Sequence, residues 1–414
     1  MKTKIILFIL GLLFGGATFA QDMLIPYLET AARNNPGLKA RFNEYMASLE
    51  RVDQVGVLPD PQIAFGYFIE PVETRNGPQQ FKISLNQMFP WFGSLGARED
   101  VAASRARAAY AVFEDHKAGL YFEVKSTYYD LYFLNKGIDI IHSNIRILES
   151  FRALALNKLE AGKGSGTDPV RVEMELADLE NDLAVLRDRL SIYKLRFNNL
   201  LNIDANSDIL LPDSLWSDDL PYSRQDIMDS MRLKNYELER LDHLIASYRE
   251  DEQVAKKAGM PSISLGVDYI SIGKTDNSMI EPAMNGRDAI LFPKIGISIP
   301  LYRKKYTAMA NEALYMQKAS AGRKEDKVNA LEVSLERAYY EYEDSRRRIT
   351  LFQKQKDLAR QAMDMLQSEY ASQGKNFEEI LRMERRLLKY SLELERAFSD
   401  KQASVAFINY LISE

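Results

Sequence analysis

Cysteine is absent from this 414-residue sequence. Disulfides, zinc–thiolate centres, thiol catalysis and lipid attachment through an N-terminal cysteine are excluded together. Turn-formers are scarce: 21 glycines and 14 prolines make up under a tenth of the chain, against about 12% in ordinary proteins. A chain that breaks its elements so rarely is expected to hold long helices. Only three histidines occur, His116, His142 and His243. They stand far apart without ligand spacing, so places on helix surfaces or seams are expected and no metal site. The net charge of −5 supplies no basic field for nucleic acid. No nucleophile–base pair, glycine-rich phosphate loop or carboxylate dyad appears, so neither catalysis nor a cofactor is expected. The scattered methionines read as packing. The hydrophobic fraction of 46% nevertheless suffices for a folded core.

The first twenty residues read as an export signal. Lys2 and Lys4 precede an apolar run from Ile5 to Phe14, and Thr18-Phe19-Ala20 gives a small-x-Ala cleavage pattern. The run is shorter than the roughly 20 residues of a spanning helix, and no later segment is more apolar. An exported chain of this kind can enter a membrane only as β-structure.

The remainder is written twice. Pro61-Gln62-Ile63-Ala64-Phe65-Gly66-Tyr67 is echoed by Pro261-Ser262-Ile263-Ser264-Leu265-Gly266-Val267. Phe89-Pro90-Trp91-Phe92 is echoed by Ile299-Pro300-Leu301-Tyr302, Gly162-Lys163 by Gly374-Lys375, and Arg171-Val172-Glu173 by Arg382-Met383-Glu384. Echoes in the same order, their offset drifting by about ten across a longer second hairpin loop, mark a duplicated structural unit. The first unit spans 21–202, with a β-hairpin at about 62–90 and long helices at about 95–201. A linker follows at 203–223, acidic and proline-containing. The second unit spans 224–414, with a hairpin at about 262–301 and helices at about 304–412. Each unit opens with a helix, about Met23–Val57 and Arg224–Lys257. The proline-free helices Leu95–Glu160 and Lys304–Ala371 would each be roughly 100 Å long.

Their apolar residues alternate steps of four and three. The run Leu331, Leu335, Ala338, Tyr342, Ser345, Ile349, Phe352, Lys356, Ala359, Met363, Leu366, Tyr370 has only two polar members. Val124, Tyr128, Leu131, Leu134, Ile138, Ile141, Ile145, Leu148 follow the same rule, as do Leu176, Leu179, Leu183, Leu186, Leu190, Tyr193, Phe197, Leu200. A sustained 3.5 period implies coiled-coil packing, in a tunnel wall or in a soluble bundle.

In the hairpins every apolar member of the alternation is odd-numbered. Phe65, Tyr67, Ile83, Leu85, Leu265, Val267, Ile297 and Ile299 fall on this face, while small or charged residues take the other. A lipid-facing outside and a wet lumen fit this pattern, and so does a half-buried soluble sheet. Four strands cannot close a barrel, since about eight is the smallest number that encloses side chains. An exported chain with four membrane strands should therefore borrow strands from copies of itself; three copies would give twelve. Trp91, Phe92, Tyr269, Phe292 and Tyr302 fit an aromatic girdle or strand-end packing.

Leu58-Pro59-Asp60-Pro61-Gln62 leading into a strand, Gln87-Met88-Phe89-Pro90-Trp91-Phe92-Gly93 closing the hairpin, and the tips Leu159-Glu160-Ala161-Gly162 and Glu369-Tyr370-Ala371-Ser372-Gln373-Gly374 resemble the TolC family of outer-membrane efflux proteins. The resemblance spans about residues 22–412, duplication included. It implies a mainly α-helical homotrimer whose twelve-stranded outer-membrane β-barrel continues into a long periplasmic α-helical barrel. The function it implies is a passive exit duct of a Gram-negative tripartite efflux system. Its partners would be a periplasmic adaptor (membrane fusion protein), an inner-membrane pump such as an RND transporter, and outer-membrane lipid. A type I protein secretion duct shares the architecture, and a soluble periplasmic coiled-coil adaptor is the alternative outside it. The turn residues Gly162, Lys163, Gly164, Gly374, Lys375 and Asn376 would meet the adaptor. Asp168 and Glu379 match the family's acidic constriction, and Arg171 and Arg382 would lock it by ion pairs. Read without the family, Thr167-Asp168-Pro169 is a helix cap with proline at the first helical position, and Glu379 a first-turn acid favoured by the helix dipole. The absent cysteine departs from lipidated relatives, and the short linker departs from those with a longer insert.

Overall fold

The computed structural model describes residues 23–215, 219–276, 281–373 and 377–414. The export segment at 1–20 and the turn residues Gly374, Lys375 and Asn376 lie outside these, as does Asp218 of the linker. In chain order the elements are α1 (Ile25–Asn34), α2 (Pro36–Val55), β1 (Gln62–Tyr67), β2 (Glu73–Thr74), β3 (Gly77–Phe89), α3 (Ser94–Glu160), α4 (Thr167–Leu201), α5 (Arg224–Lys234), α6 (Tyr236–Ala258), β4 (Ser262–Ile272), β5 (Ala289–Ser298), α7 (Arg303–Gln373) and α8 (Phe377–Leu411). The helices α3 and α7 run 67 and 71 residues without interruption. Contacts divide the chain into two units: one takes the residues up to Arg41 with 113–236 and 327–414, the other takes 42–112 and 237–326.

Each opening helix is broken where the sequence suggests one continuous piece. Asn35 separates α1 from α2 with an extended ψ of 121°, because the residue before a proline is pushed out of the helical region. Its carboxamide accepts the Leu38 N–H at 3.0 Å and donates to the Leu200 carbonyl at 3.0 Å. Asn235 separates α5 from α6 with ψ 123° and no following proline. It donates to the Leu411 carbonyl at 3.0 Å. The two asparagines stand 200 positions apart, each tying a break to the last turn of a returning helix.

In the first unit the seams meet as their spacing requires. Val124, Tyr128, Leu131, Leu148, Leu176, Phe197, Leu335 and Tyr342 are all buried. One cluster joins α3 and α4 to α7 and α8 through residues such as Leu148, Val172, Tyr370 and Ile380. A second packs α1, α3 and α4 around Tyr128 and Phe197 and takes in Leu215 of the linker. The linker is pinned at several points. Tyr128 donates its hydroxyl to the Leu210 carbonyl at 2.9 Å, and Asn198 donates to the carbonyls of Ala205 and Ser207. Asp219 takes the buried Lys401 ammonium at 2.8 Å and the Tyr342 hydroxyl at 3.2 Å.

The second unit holds the sheet. Its order is β1-β3-β4-β5, antiparallel throughout, with the short β2 on β3. Ile63 pairs with Leu85, Phe65 with Ile83, Ile83 with Tyr269, Leu85 with Val267, and Leu265 with Ile295. Directly paired residues share a face, so the odd residues of all these strands make one surface. A register shift between the Gly266–Lys294 and Asp268–Leu291 pairs reverses the parity at the start of β5. There Ile290, not an odd residue, pairs with Tyr269 on the apolar face.

Candidate functional site

The helical tip is built by a reversal between α3 and α4. Gly162 has φ +69°, a conformation open to glycine at little cost. The Lys163 N–H returns to the Lys158 carbonyl at 2.8 Å and the Gly162 N–H to Leu159 at 3.0 Å, the pairing of a Schellman cap. The second glycine of the turn, Gly164, packs close: a Cβ there would meet Lys158 Cβ at 3.0 Å. Lys158 also crosses to the other repeat, donating to the Ala371 carbonyl at 2.7 Å with its ammonium over the Tyr370 ring.

The α4 cap differs from the sequence expectation. The helix starts at Thr167, ahead of Asp168, and the Ser165 hydroxyl rather than Asp168 meets the first turn, at 3.3 Å from the Thr167 N–H. The Asp168 side chain is buried beside Tyr370, itself fully buried. Burial and the Asp168 charge both push the Tyr370 phenol above its ordinary pKa. Glu379 lies in the first turn of α8, half-exposed, and pairs with Arg382 on its own helix. Arg171 pairs across the repeats at 3.2 Å, with Glu378 rather than Glu379. Thus the structure brings Asp168, Arg171, Glu378 and Glu379 around one opening with Gly162, Lys163 and Gly164. The ion pairs are exposed, and such pairs contribute between zero and about 1 kcal/mol each.

One residue at the tip escaped the sequence reading. Glu384 is 1% exposed and one of its carboxyl oxygens has no hydrogen-bond partner. Burial, with Glu175 adding to it and Arg385 opposing, raises its pKa to about 7. The signal was present: Phe377, Leu381, Glu384, Leu388 and Ser391 step by four and three, and the glutamate occupies a seam position. Its repeat counterpart Glu173 is exposed and pairs with Arg152 at 3.1 Å.

The sheet is the second candidate site. Its apolar face is the exposed one: Phe65 and Tyr67 are 68% exposed and Ile297 66%. Ile83, Leu85 and Leu265 on the same face are also exposed, Val267 is half-exposed, and Ile299 follows just beyond β5. On the opposite face Ser84 and Asp268 of the central strands are buried, while Gln62, Ala64 and Gly66 of β1 are exposed. This reverses the usual order for a sheet in water. The outer edges of β1 and β5 have no partner strand among the described residues. The histidines lie elsewhere: His142 contacts Arg187, and His243 pairs with Glu239 on its own helix.

No protein-family model matches the sequence. No curated protein matches it at a significant level either. Solved structures do. The outer-membrane channel OprN is similar with a TM-score of 0.77 at 18% identity, covering 95% of this chain and 90% of its own. The outer-membrane protein VceC of Vibrio cholerae is similar with a TM-score of 0.78 at 13% identity, covering 96% and 98%. CusC, described for transmembrane channel formation, gives 0.76 at 18% identity, covering 94% and 92%. The chain therefore has the fold of outer-membrane channels along nearly its whole length.

Proposed function

We propose that this protein is the outer-membrane duct of a tripartite efflux system, a passive exit path for cargo delivered by an inner-membrane pump through a periplasmic adaptor. The observation that carries the reading is the reversed sheet. A sheet that exposes its apolar face, buries Ser84 and Asp268 on the other and is open at both edges belongs in lipid and needs further strands. Three copies of the units 21–202 and 224–414, joined by the linker 203–223, supply twelve strands. Export by a cleaved N-terminal signal, without lipidation, delivers the chain to the periplasm and outer membrane.

At the tip, Asp168 and Glu379 from three copies place six carboxylates around the opening and favour cations there. Arg171, through Glu378, ties the repeats together, while Arg382 holds Glu379 on α8. The turn residues Gly162, Lys163 and Gly164, with Gly374, Lys375 and Asn376, form the surface offered to the adaptor. Conductance in planar bilayers tests both halves. The purified protein should extract only with detergent and conduct. Changing Asp168→Ala together with Glu379→Ala should raise conductance and weaken cation preference. A water-soluble protein without conductance overturns the duct, and an unchanged current overturns the gate alone.

A further inference from the structure

The four long-paired strands β1, β3, β4 and β5 contain three charged residues: Lys82, Asp268 and Lys294. The structure brings them together on the polar face. Asp268 is 1% exposed and takes the Lys82 ammonium at 2.7 Å from β3 and the Lys294 ammonium at 3.3 Å from β5. The lysine side chains remain 35% and 39% exposed. Two ammonium groups against one carboxylate leave one net positive charge per chain, held in place by a buried anchor.

Both lysines take the same register position in their hairpins. Lys82 pairs with Gly66, and Lys294 pairs with Gly266, its repeat counterpart. Each lysine therefore stands opposite a residue with no side chain, which leaves its stem room on the polar face. The aspartate occurs once: the position matching Asp268 in the first hairpin is Phe68. Here two cations face one anion.

We infer that Lys82 and Lys294 form an anion-favouring ring in the barrel lumen, so that the barrel end of the duct accepts negatively charged cargo and small anions while the tip carboxylates favour cations. This rests on the barrel reading above. Three copies bring six lysines and three aspartates to one level of the lumen, a net positive ring on strands that carry no other charge.

The test is the reversal potential in a potassium chloride gradient. It uses zwitterionic bilayers at low salt, about 0.01–0.1 M, where screening lengths are roughly 30–10 Å. All variants carry Asp168→Asn and Glu379→Gln, so that the tip's carboxylates do not mask the barrel. With the native barrel, chloride should permeate in preference to potassium. Adding Lys82→Gln, Asp268→Asn and Lys294→Gln removes the net charge without stranding the buried carboxylate. It should lower the chloride-to-potassium permeability ratio on the order of threefold. Adding only Asp268→Asn and Lys294→Gln keeps the net charge and should keep the ratio, which separates charge from disturbed folding. Conducting channels with the same reversal potential in all three overturn the lysine ring and leave the duct standing. Absence of conductance in all three, with the wild type silent too, overturns the duct and the ring together.

Discussion

Glu384 sets a pH dependence that can be given a sign. Its carboxyl is held at about pKa 7 in the packed helices against an ordinary value of about 4.3. The protonated form is the one the packing accepts. Its contribution is fully present below the ordinary value, declines as pH rises from there to 7, and is gone above it, a change on the order of 3–4 kcal/mol. Glu384→Gln should flatten this slope, so that between pH 5 and 8 the wild type loses urea resistance and the variant does not. Parallel curves for the two would contradict the assignment. This residue shows how far single side chains were legible. Its seam position followed from spacing alone, but its burial did not, because Glu173 at the matching place in the other repeat faces solvent. Asp168 and Glu379 were legible as acids at helix starts. That Glu379 pairs with Arg382 is a local matter, but that Asp168 packs beside Tyr370 depends on a neighbour some 200 residues away.

At the scale of elements the strongest prediction concerns the helix breaks. Asn235→Ala removes the donor to the Leu411 carbonyl in a buried site and should cost about 1–3 kcal/mol. Asn35→Ala loses a cap as well as a cross-contact and should cost about the same or more. Equilibrium urea unfolding in detergent reads both, and losses below about 0.5 kcal/mol would show that the breaks stand without them. In the α7 seam, Leu335→Ala should cost about 2–5 kcal/mol. Ser345→Ala should stay within about 0.5 kcal/mol, because its buried hydroxyl only returns to the Glu341 carbonyl of its own helix. The long helices and the strand alternation were readable because proline-free heptads and odd-numbered apolar residues are local signals. The break at Asn35 carried a proline as its sign. The break at Asn235 carried none, since a tertiary hydrogen bond makes it. The parity reversal in β5 was equally hidden, as register is a property of two strands and not of one.

For the whole molecule, the missing cysteines become an experimental advantage. A cysteine at Ala64 on β1, combined in turn with one at Gly296 or Ser298 on β5, should cross-link neighbouring copies at their sheet edges. Oxidised samples should then run as a ladder ending at three chains, while each single variant runs as monomer on a denaturing gel. A ladder that never forms, in any pairing, would contradict edge closure between copies. The soluble coiled-coil alternative does not account for the exposure of Phe65, Tyr67 and Ile297, a face that water would be expected to bury.

The pairing of β3 with β4 sets the timetable of biogenesis. Ile83 and Tyr269 are partners although the whole of α3, α4, the linker, α5 and α6 separates them in the chain. Contacts between residues so far apart form slowly, because a long loop must close first. On the proposed export route the first hairpin therefore waits, with its apolar face and bare edges uncovered, until the second arrives. Such a surface is prone to aggregate. Safe delivery then depends on holding factors during transit, and on assembly that couples strand pairing to entry into the bilayer.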